Sequence, residues 1–155
     1  QAAGRSGRGK KKGEVIIQTY DTKNPVIQAA SKLDLNKYYK IMLDDRNGLK
    51  YPPFSWIAKI EFIGSNSKAL FLLSVKIKNN LLNPYTGLEI LGPAACFKEK
   101  IKNNFRFQII LKSLKKYDSS GGKLHSFIND NLIHNKNLNL GSNKMKIHID
   151  PVSMI

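Results

Sequence analysis

Trp56-Ile57-Ala58-Lys59-Ile60-Glu61-Phe62-Ile63 sets Trp56, Ala58, Ile60 and Phe62 on one side of an extended chain, with Lys59 and Glu61 on the other. Successive side chains of a strand point to opposite faces, so the alternation predicts a half-buried strand. Gly64-Ser65-Asn66-Ser67 then turns the chain. Leu70, Leu73, Ile77 and Leu81 follow as one helical stripe, which Asn83-Pro84-Tyr85-Thr86-Gly87 ends. Residues 88–91 and 97–101 read as a strand interrupted at Gly92-Pro93. Residues 105–112 alternate again, with Phe105, Phe107, Ile109 and Leu111 inward and Arg106, Gln108 and Lys112 outward. Residues 113–122 read as loop. Leu124, Phe127, Ile128 and Leu132 predict a second helix, and Met145, Ile147 and Ile149 a last strand.

Strand, helix, strand, strand, helix, strand is the split βαβ plan, an α/β (α+β) domain of ferredoxin-like type over residues 55–155. Both helices then cover one face of a small sheet, and the other face is expected to stay wet. Its outward positions are Lys59, Arg106, Gln108, Lys112, Lys144, Lys146 and His148. A basic face can track a phosphate backbone, and Lys59, Arg106, Lys112 and Lys146 are the candidate contacts. The competing reading is a solvated face in a lysine-rich protein.

Upstream, residues 20–54 read as a helical connector. Asn24-Pro25 opens one short helix, and Asp34 can cap another in which Leu35, Tyr38, Tyr39 and Met42 share a face. Tyr51-Pro52-Pro53-Phe54 stops it, because proline cannot continue a helix. Val15, Ile16 and Ile17 form a short apolar run expected to be a buried strand. The first thirteen residues, QAAGRSGRGKKKG, are too polar to fold alone.

The chain carries 26 Lys plus Arg against 11 acids, a formal charge of +15. Such a field attracts polyanions, nucleic acid foremost. One cysteine, Cys96, excludes an internal disulfide, and His125, His134 and His148 lack metal-ligand spacing, so no metal is expected. A reducing, cytoplasmic setting fits. No run of about 20 apolar residues is present to span a bilayer. Opening on Gln1 rather than Met is expected of an interior piece of a longer protein.

Gln1-Ala2-Ala3-Gly4-Arg5-Ser6-Gly7-Arg8 resembles motif VI of superfamily-two helicases, Q-x-x-G-R-x-G-R. Phosphoryl transfer gains from cations aimed at charge building on the γ-phosphate, and guanidinium binds phosphate oxygens bidentately. Gly13 to Thr19, Arg46 with Tyr51-Pro52-Pro53-Phe54, Leu91-Gly92-Pro93-Ala94, Phe105-Arg106-Phe107-Gln108-Ile109 and Asp150-Pro151 follow in order. Together these blocks resemble the primosomal replication-restart helicases, the primosomal protein N′ (PriA) family. His148 stands where that pattern more often has an acid.

The resemblance implies that residues 1–19 end a RecA-like helicase lobe, ahead of an accessory C-terminal domain similar to a ribosomal-protein fold. It implies Arg8 and Arg5 as the catalytic arginines, with Gln1, Gly4, Arg5 and Arg8 around the phosphates of ATP and its Mg²⁺. The phosphate cradle and the family's zinc cysteines would lie upstream, so this stretch alone is expected not to hydrolyse ATP. The implied partners are DNA at forks and single-stranded/duplex junctions, single-strand-binding protein and primosome proteins, in a nucleoid-associated setting. A free-standing basic module for RNA or a ribonucleoprotein is the alternative.

Overall fold

The computed structural model describes residues 15–82 and 84–151. The chain divides into two compact units, residues 1–45 and 46–155.

In the first unit, helix α1 (Pro25–Ser31) begins as expected: the Asn24 side chain accepts from the Val26 and Ile27 amides, with proline in the first turn. Asp34 does the same for α2 (Leu35–Gly48) through the Lys37 amide at 3.0 Å. No residue of α2 is buried, and Leu35 and Tyr39 of its apolar stripe are exposed. Val15, Ile16 and Ile17 form no strand, and Ile16 is 87% exposed. Apolar β-branched residues become a strand only where a ladder receives their backbone groups, and none pairs with them among the described residues.

The second unit is built on four strands, β1 (Ser55–Gly64), β2 (Leu88–Ile101), β3 (Asn104–Leu114) and β4 (Lys144–Ile149), in the order β2-β3-β1-β4. Every neighbouring pair is antiparallel. Helices α3 (Ser67–Asn79) and α4 (Gly122–Ile128) connect them, giving the predicted split βαβ topology. Ala58, Ile60 and Phe62 of β1 pack with Phe107, Ile109 and Leu111 of β3 under Leu70 and Ile77 of α3 and Leu124, Phe127 and Ile128 of α4. Each of the Ile, Leu and Phe side chains among these contributes about 1.5–3 kcal/mol by leaving water. A single π turn, Asn129–Ile133, extends α4 and keeps Leu132 on the core side.

Gly92-Pro93 does not split β2. It marks a register shift between Leu91 and Ala94 within one strand. Edge strands tolerate proline at a bulge because no neighbour needs its missing N–H, and Gly92 takes φ +95 there. Lys102 and Asn103 both have positive φ, so a two-residue turn closes the β2–β3 hairpin.

One corner locks the loop after β3 to the sheet. The Asp118 carboxylate is buried and accepts from Ser113 Oγ at 2.9 Å, the Leu124 amide at 3.0 Å and the Lys123 amide at 3.1 Å. It thereby caps α4 from outside the helix. Gly121, at φ +79, lies so close to the Trp56 ring that a Cβ would come within 3.3 Å of it. The Trp56 indole in turn donates to the Asp118 carbonyl at 3.0 Å.

Candidate nucleic-acid interface

The face of the sheet away from the helices carries the outward residues of β1, β3 and β4. Register sets Glu61 between Gln108 of β3 and Lys146 of β4, Lys59 opposite His148, and Ile63 between Arg106 and Lys144. The predicted face is therefore the observed one, but it is not uniformly wet.

Lys59 is 6% exposed, Lys112 7% and Glu61 4%. The Lys112 ammonium donates to the Leu49 carbonyl at 3.0 Å and sits 4.2 Å over the Tyr51 ring. The segment leading into β1 thus covers that end of the face. A buried ammonium cannot also reach a phosphate: Lys112 is held by its partners, and Lys59 is buried beside Glu61. Lys59 and Lys112 are accordingly placed as interior groups rather than as solvated contacts. Both alternate correctly; what the alternation left open was their burial, which for Lys112 comes from the chain packed over it.

Arg106 donates through Nε to Glu61 and through Nη1 to the Lys98 carbonyl at 3.3 Å. The His148 Nε2 stands 3.5 Å from the other Glu61 oxygen. Burial would raise the Glu61 carboxyl. The Arg106 hydrogen bond and charge, with Lys59 and His148 nearby, hold it below the ordinary carboxylate range. The same bond to Glu61 pushes the Arg106 guanidinium up. Burial pushes the Cys96 thiol up, so it is a packed side chain rather than a nucleophile.

These groups border an open hollow of about 420 Å³ whose rim includes Lys102, Asn104, Arg106, Lys146 and His148 over Glu61. Lys144, Lys146 and His148 on the edge strand are exposed, as are Lys98, Lys100 and Lys102 at the β2–β3 end. Around this hollow the exposed cations thus come from the β2–β3 end and the β4 edge. Lys102 escaped the strand reading because it lies in the turn, where only the Lys-Asn-Asn run signals it.

Gln1, Gly4, Arg5 and Arg8 lie outside the described residues. Among the described residues, no group of His, Cys, Asp and Glu could hold a metal ion, and no helix is long and apolar enough to cross a membrane.

An antiparallel sheet with two helices on one face and a lysine-edged hollow on the other defines a split βαβ domain of the ferredoxin-like class. The family description "Primosomal protein N C-terminal domain" matches residues 47–152, and the chain belongs to that family. It is 34% identical over 114 residues to the replication restart protein PriA of Synechocystis sp., which is 72% of this chain and 14% of that protein. It is 32% identical over 114 residues to PriA of Chlamydia pneumoniae (73% of this chain, 15% of that protein). It is also 32% identical over 113 residues to PriA of Bacillus subtilis (72% and 14%). The chain thus matches only 14% to 15% of these relatives' length.

Proposed function

We propose that this domain grips DNA for an ATP-driven replication-restart helicase, with the exposed lysines of β4 and the β2–β3 turn as its phosphate contacts. The observation that carries this reading is their placement. Lys102 and Lys146 line the hollow over Glu61, and Lys144 is exposed two residues before Lys146 on the same strand, at the side of the sheet that the helices leave open. Arg106 is held by Glu61 and acts as a positioned donor rather than a mobile charge. Lysines neutralise phosphates and release counterions without reading sequence, which suits a protein acting at any stalled fork.

In the complete helicase, ATP hydrolysis would supply the driving energy. Arg5 and Arg8, with Gln1 and Gly4 shaping the loop, would complete the phosphate site from the neighbouring lobe, where Mg²⁺ is bound. Val15, Ile16 and Ile17, exposed here, would find ladder partners in that lobe. DNA forks, single-strand-binding protein and the primosome proteins are the partners this assembly would meet.

The test is the salt dependence of duplex-DNA affinity. K102Q/K144Q/K146Q is expected to lower the slope of log K against log salt by about 2–3, because each lost phosphate contact removes about 0.9. An unchanged slope at unchanged fold sinks the lysine-edge reading. Tighter binding to RNA of the same length would favour a ribonucleoprotein module.

A further inference from the structure

The blocks that singled out Arg46, Tyr51 and Asp150-Pro151 in the sequence have no part in the sheet-face hollow. They converge on a second one, of about 530 Å³, walled also by Trp56 and Lys115. About a hundred residues separate its two ends in sequence, and antiparallel β1–β4 pairing brings them together.

Each wall has a defined state. The Trp56 indole is anchored by its bond to the Asp118 carbonyl, and the Lys115 ammonium lies 4.1 Å over its ring. Among the described residues Arg46 donates only through Nη1, to the Pro52 carbonyl at 3.1 Å, which leaves most of its fork for another acceptor. Asp150 is held at φ 44 by two bonds to Ile57: its amide donates to that carbonyl at 2.8 Å, and its Oδ1 accepts from that amide at 3.2 Å. Its Oδ2 has no hydrogen bond among the described residues. The hollow therefore offers a fixed aromatic face, two cations and one carboxylate oxygen. A bare inorganic anion would waste the aromatic and proline walls, and a neutral apolar ligand would leave the cations unanswered. A nucleotide answers all three features, because it joins an aromatic ring bearing N–H donors to a phosphate.

We propose that this hollow holds one unpaired nucleotide of single-stranded DNA, its base against Trp56 and Pro151 and its phosphate between Arg46 and Lys115. Asp150 Oδ2 accepts from the exocyclic amine of the base. The Lys115 chain is flexible and swings from the ring to the phosphate as the base takes its place. The inference rests on the DNA-binding reading and names a different site for it. None of these residues belongs to the lysine edge, so the two can fail separately.

Trp56 is the only tryptophan in the chain, so its emission reports this site alone. The whole chain is titrated with a short oligodeoxycytidine, with a blunt duplex and with an acidic peptide, and binding is followed in parallel by anisotropy. The oligonucleotide is expected to quench Trp56 more strongly than the duplex does. R46Q/K115Q should weaken its binding about tenfold and lower the single-strand salt slope by about 1.4, two contacts at about 0.7 each. K115Q alone, which keeps the Arg46 contact, should give about half that slope change. Oligonucleotide binding with unchanged emission and wild-type affinity in R46Q/K115Q overturns the inference while leaving the lysine edge standing. Quenching by the peptide but not the oligonucleotide overturns it in favour of a protein ligand. No binding of any DNA overturns both.

Discussion

Removing the Asp118 carboxylate should unlatch α4 from the sheet. In Asp118→Ala the Leu124 amide and the Ser113 hydroxyl, both buried, lose the oxygen they share at 3.0 and 2.9 Å. Ser113 still accepts from Tyr85 at 2.7 Å, but its own hydroxyl hydrogen and the amides of Leu124 and Lys123 all lose the carboxylate acceptor, the first two of them buried. A buried orphan costs about 1–3 kcal/mol and a bond to a charged group contributes about 1.5–3, which places the loss near 3 kcal/mol. Asp118→Asn retains one acceptor oxygen and should lose about half as much. Urea unfolding followed by Trp56 emission measures both. With a slope of about 1–3 kcal/mol per molar, Asp118→Ala should lower the midpoint by at least about 1 M at unchanged slope. The acid limb adds a second readout. Burial would raise this carboxyl, but the amides of Leu124 and Lys123 and the Ser113 hydroxyl hold it below its ordinary value. The unfolded chain therefore takes up the proton first as pH falls. Asp118 stabilises fully above the ordinary carboxylate range and loses that contribution as pH drops through its lowered folded value. Asp118→Ala should flatten that limb. A midpoint within about 0.3 M of wild type, or an acid limb as steep as before, would refute the latch.

Arg106→Ala leaves Glu61 buried with Lys59 and His148 as its remaining cations, and should destabilise by about 2 kcal/mol; Glu61→Gln in the same chain should restore part of this in a double-mutant cycle. Full additivity of the two changes would show that the pair does not interact. Lys112→Met removes the bond to the Leu49 carbonyl and the contact with Tyr51, so thermal unfolding should come at lower temperature while the salt slope of DNA binding stays at its wild-type value. A slope lowered by about one would make Lys112 a phosphate contact after all.

What the sequence by itself determined was local. Alternation in β1 and β3, the stripe of α3 and the helix starts at Asn24 and Asp34 all formed where their periods and side-chain acceptors required. These signals live within a few residues, and backbone geometry enforces them directly. The family resemblance was legible for a related reason, since ordered blocks survive in a linear string. What only tertiary structure decided was which outward side chains meet water. Lys59 and Lys112 alternate as solvated residues do, yet the chain from Leu49 to Tyr51 lies over one of them and both are buried. Val15, Ile16 and Ile17 have strand composition, but a strand needs a ladder partner that composition cannot supply. The nucleotide-sized hollow is likewise invisible in sequence. Arg46 and Asp150 become neighbours only because β4 returns antiparallel beside β1, and proximity across a sheet is set by pairing rather than by any local pattern.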